Sequence, residues 1–103
     1  MSNIIENTLN MAQNKFKGFG FKDEQIAQLL SSGRQDLEKE IGKLRDILTE
    51  DSIETKALND SLHALKGLLL NMGNAEEANK LIEIKNGDDN TLKIEQIKMI
   101  FDI

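Results

Sequence analysis

Between Ile26 and Leu48 the apolar residues fall on a single stripe. Ile26, Leu30, Gly33, Leu37, Ile41, Leu44 and Leu48 follow one another at steps of three and four. That is the period of an amphipathic helix with one buried face. No proline interrupts it, because the chain contains none. A stripe this long needs partners, and the rest of the chain supplies them with the same period. Residues 3–17 carry Ile5, Leu9, Ala12 and Phe16, and a later segment carries Leu58, Leu62, Leu65, Leu69 and Met72. Ala78, Leu81 and Ile82 mark the inward side of another helix, and Ile94, Ile97 and Phe101 that of a last one. Nowhere do apolar and polar residues alternate over six positions or more, so no strand is predicted.

The breaks between these stripes have turn and cap chemistry. Gly18-Phe19-Gly20 ends the first helix and leaves Phe19 and Phe21 to fold over the bundle end. Asp23 is the expected cap of the second helix. Asp51 or Ser52 is that of the third, with Glu54 or Thr55 near its first turn. Gly73 suits a left-handed cap after Met72, and Asn74 with Glu77 has the spacing of a capping box opening the fourth helix. Gly87 ends that helix, and an acidic turn over residues 88–90 leads to a fifth from about Thr91. Gly33 lies within the long stripe, where a glycine costs about 1 kcal/mol relative to alanine. Either Ser31-Ser32-Gly33 breaks the helix or a neighbouring helix approaches closely there, and the preserved phase favours the approach.

Short connections make successive helices antiparallel neighbours. The expectation is therefore an all-α fold with one domain over residues 1–103. Residues 23–103 form an up-and-down antiparallel four-helix bundle, with an additional N-terminal helix (3–17) across one end. A chain of 103 residues is long enough for one core without staples.

Thirteen Lys and Arg stand against eighteen Asp and Glu, a net charge of −5. This speaks against nucleic acid and against an anionic membrane surface as partner. With four phenylalanines as the only aromatics, a base-stacking platform is not expected either. The absence of cysteine rules out disulfides and thiolate metal sites. Residues 1–15 lack the basic start and apolar run of a signal peptide. No stretch approaches the roughly 20 apolar residues of a membrane span. A protein partner or a small ligand remains, no cofactor is expected, and a cytoplasmic location fits the absence of cysteine.

The candidate site is the single histidine. With Leu58 at zero on a wheel of about 100° per residue, the third helix's seam spans about −40° to 40° and His63 falls near 140°. A lone histidine is commonly a hydrogen-bonded core residue, but this one points away from the core. It is then either an ordinary surface histidine or a functional one. Lys56, Asn59, Asp60, Lys66, Gly67 and Leu70 share its face. Lys66 and Gly67 are three and four residues on, so both adjoin His63. A glycine in an exposed helix interior is unfavourable; here it bares the ring for another surface, and Leu70 extends that patch.

A neutral imidazole nitrogen is a nucleophile, and a lysine beside it attracts phosphoryl oxygens. The chain has no glycine-rich phosphate loop, so a partner must bring the phosphoryl group. Glu38, Glu40, Glu50, Asp51 and Glu54 are spread along solvated faces, which gives a hydrolase or ligand-binding bundle no support.

His63-Ala64-Leu65-Lys66-Gly67, with Gly73 ten residues after the histidine, resembles the signature of histidine-containing phosphotransfer domains. Leu58 and Leu62 before it, Leu69 and Met72 after it, Asn74-Ala75 and Leu81-Ile82-Glu83 are similar to the flanking pattern. The resemblance follows helix order over residues 23–103 and is specific over 58–83. It implies a carrier without catalytic activity of its own that works as a monomer. His63 Nε2 takes a phosphoryl group from a receiver-domain aspartate and passes it to another receiver, of a response regulator or a hybrid histidine kinase. Lys66 is then the charge partner. Gly67, Leu70, Asn59, Lys56 and Asp60 are docking residues, and Mg²⁺ belongs to the receiver. Leu68 departs from the pattern, standing where many members have a small residue. A binding module that docks on the same partners without carrying phosphate is the alternative.

Overall fold

The stripe from Ile26 to Leu48 folds as one continuous helix, and the other stripes fold around it. The computed structural model describes residues 3–87 and 89–103. Its helices are α1 (Asn3–Gly18), α2 (Asp23–Leu48), α3 (Thr55–Asn71), α4 (Ala75–Lys85) and α5 (Asn90–Phe101), with no strand among the described residues. Helix α2 packs on α1 and α3, α3 packs on α4, and α5 touches α4 and α1. The molecule extends 46 × 22 × 22 Å, and α2, at about 1.5 Å per residue, spans most of the long dimension.

One core joins all five helices. Leu37, Leu44, Leu62, Leu65, Leu69, Leu81, Ile97 and Phe101 are almost completely buried in it. Each such side chain contributes roughly 1.5–3 kcal/mol by leaving water. Every seam residue of α3 is buried, from Leu58 to Met72. Leu68 is half-buried against the same core, so its size is used in packing.

Gly33 does not break α2. A Cβ there would meet the end of the Met72 side chain, with Sδ at 2.9 Å. The close approach expected at this glycine is thus made by the side chain of the residue that caps the end of α3.

Two caps differ from expectation. Lys22 caps α2, its N–H donating to Gln25 Oε1 at 3.1 Å, and Asp23 is already in the first turn. There the aspartate still favours the positive end of the helix dipole. Helix α3 starts at Thr55 after Glu54, later than the Asp51 or Ser52 cap predicted. Ile53 packs on the core, which holds the segment before Glu54 out of the helix. Ile53 and Leu58 stand at the positions of a hydrophobic staple. Asp89 caps α5 through Oδ1, accepting from Leu92 N–H at 3.1 Å. The acidic turn predicted for residues 88–90 falls partly on Asp88, outside the described residues.

Helix α1 also takes a different place. It lies along α2, where Glu6 pairs with Arg34 at 2.8 Å, and its Ile4, Thr8, Leu9 and Ala12 are buried. The expected position across one end gives way because this stripe is long enough to join the core sideways. Phe19 and Phe21 do not fold over the bundle: they remain 65% and 42% exposed. Phe21 meets Phe19 edge-to-face at a ring centroid separation of 6.2 Å and lies tilted against Phe16 at 5.9 Å.

Candidate functional site

Helix α3 ends at Asn71 and is capped through Met72 and Gly73, whose φ of +86° a side chain would resist. The N–H of Asn74 reaches Leu69 O at 2.8 Å, and that of Gly73 reaches Leu70 O at 3.1 Å. This pair of bonds closes the last turn and reverses the chain at once. Asn74 then opens α4. Its Oδ1 accepts from Glu77 N–H at 3.3 Å, and its Nδ2 donates to Thr8 Oγ1 at 2.8 Å in the interior. The tight joint sets α4 beside α3, with the end of α4 facing the middle of α3 where His63 lies.

Because Leu62 and Leu65 are buried at 1% and 0% exposure, the ring between them on the chain is turned outward, and His63 is exposed. It does not stand on an open face. Leu62, His63 and Lys66 of α3 line a groove of about 160 Å³ with Leu81, Ile82 and Lys85 of α4 and Asn86, its cap. Ile82 was expected to face inward. It is 38% exposed, and Ile84 is buried in its place. On a helix of eleven residues the pattern Ala78, Leu81, Ile84 fits the core as well as the pattern through Ile82, and packing against α3 decides between them.

The structure brings two of the seven candidate residues, His63 and Lys66, into the groove. Lys56, Asp60 and Leu70 are exposed on α3 outside it, and Asn59 and Gly67 are half-buried there. A Cβ on Gly67 would meet nothing within 4 Å, so the gap beside His63 is open. Lys85, Asn86 and Ile82 were not singled out from the sequence as site residues. They lie on another helix, and a wheel drawn for α3 alone carries no signal for them.

A larger groove of about 630 Å³ opens between α1, α4 and α5, lined by Met11, Lys80 and Met99 among others. It has no histidine. Its Lys80 is engaged by Glu77 at 3.0 Å, a hydrogen bond and charge that hold the ammonium above the usual lysine range. The groove at His63 therefore remains the candidate site. Among the described residues, no three of His, Cys, Asp and Glu come together to hold a metal ion. Nor is any helix there long and apolar enough to cross a membrane. Comparison with known proteins finds no match to a family model, to a curated protein or to a solved structure.

Proposed function

We propose that this chain is a phosphocarrier of a two-component phosphorelay. His63 takes a phosphoryl group from the aspartyl phosphate of one receiver domain and gives it to the aspartate of another. The observation that carries this reading is an exposed imidazole in a groove with Lys66, beside a glycine whose missing side chain leaves open space. The lone pair of Nε2 attacks phosphorus, the N–P bond forms, and the P–O bond to the aspartate breaks to restore its carboxylate. With the ring's proton on Nδ1, no proton has to move in this step. Lys66 attracts the phosphoryl oxygens, while the receiver supplies Mg²⁺ and the remaining charge stabilisation.

The likeness of residues 58–83 to histidine phosphotransfer domains supports the same reading. The short connections and the α2–α3, α3–α4 and α4–α5 packing suit an up-and-down antiparallel order of these helices, with α1 along α2 and also touching α5. The carrier is read as a cytoplasmic monomer with no cofactor of its own. Exposure to phosphorylated receivers should label the wild-type chain and leave His63→Gln unlabelled. Absence of label from every cognate receiver contradicts the proposal.

Leu70 on α3 and Ile82 on the groove wall, both exposed, favour a second reading: a module that docks on a receiver or kinase and regulates it without carrying phosphate. In that case His63→Gln keeps cellular activity and Gly67→Arg loses it.

A further inference from the structure

The groove at His63 has a charge opposite to that of the chain. The sequence holds eighteen acidic residues and thirteen basic ones, yet two lysines and the histidine line this groove and no carboxylate does. Lys66 comes from α3 and Lys85 from the last turn of α4. Among the described residues neither lysine is paired with a carboxylate, whereas Lys43 and Lys80 are. The position of Lys85 adds a requirement. A helix's carbonyl end carries about half a negative charge, and α4 presents that end to the groove. An anion placed there is repelled unless a cation answers it.

We propose that Lys85 is a second phosphoryl-binding residue. It contacts the group on His63 from the α4 side while Lys66 holds it from α3. The inference rests on the phosphocarrier reading and extends it: the site is built from two helices, and its two cations offset both the phosphoryl charge and the end of α4. An ordinary role for Lys85, as a favourable cation on its own helix end, would leave chemistry at His63 unchanged.

Phosphoramidate tests this without a known receiver. Its phosphorus passes to Nε2 as the N–P bond to the leaving ammonia breaks. The full-length protein is incubated with potassium phosphoramidate, and phosphohistidine is followed by ³¹P NMR and by intact mass at several salt concentrations. Wild type should label at His63 and His63→Gln should not. Lys66→Gln and Lys85→Gln should each label about three- to tenfold more slowly, as expected for one cation within a few ångströms of an anion in a solvated site. The double variant should be slower still and nearly independent of salt, Lys85→Arg should restore the rate, and Lys39→Gln, on α2, should match wild type. Helical circular dichroism checks that each variant is folded. If His63 labels normally and Lys85→Gln matches wild type in rate and salt dependence, Lys85 has no such role and the carrier reading stands. If wild type does not label at His63, both are overturned.

Discussion

Two glycines lie on helix faces where a side chain would normally help, and they do so for different reasons. At Gly33 the space a Cβ would take is occupied by the end of Met72; at Gly67 it is empty. Gly67→Ala should therefore keep the full propensity gain and raise stability by about 0.5–1 kcal/mol in urea unfolding. A lower midpoint than wild type would show that the fold needs the gap. Gly33→Ala should gain less, because Met72 must move before the added methyl fits. If both substitutions stabilise equally, the contact with Met72 is without cost. The sequence already separates the two positions, Gly33 on the apolar stripe of α2 and Gly67 on the outward face of α3, but it does not identify Met72 as the neighbour. The difference in fit belongs to a side chain at the end of another helix in one case and to open space in the other.

At the scale of the element, residues 69–74 govern the site more than any other segment. Gly73 adopts a left-handed conformation, and a Cβ there would also press on Lys15 Cδ at 3.2 Å. Gly73→Ala should cost about 1–2 kcal/mol, measured by thermal or urea unfolding. An unchanged midpoint would mean that the joint has another conformation available. This cap was legible from Met72-Gly73-Asn74, because a positive φ after a helix selects glycine strongly. The start of α3 was less legible. Asp51, Ser52 and Glu54 all have capping or first-turn chemistry, and Ile53 sets the boundary by a contact beyond its own segment. The inward face of α4 was ambiguous for a related reason: a short helix leaves its phase to the neighbour it packs on.

For the whole molecule, the buried bond from Asn74 to Thr8 ties α1 to the α3–α4 joint across the core. Both residues are at most 1% exposed, so an unpaired amide or hydroxyl there would be costly. Asn74→Ala removes the cap and the long-range bond together and should destabilise by about 1–3 kcal/mol. A double-mutant cycle with Thr8→Ala should show coupling between the two sites. Strictly additive losses would mean that α1 is held by its apolar stripe alone. The sequence by itself determined the all-helical character, the number of helices, the seams of α2 and α3, and the outward phase of His63. Each follows from a period of about 3.6 residues or from the local chemistry of a cap, which act within one segment. Only the tertiary structure decided that α1 lies along α2, that Ile82 is exposed while Ile84 is buried, and that Lys85 and Asn86 share a groove with the histidine. Those facts depend on which face of one helix meets which face of another, and no single helix's periodicity contains them.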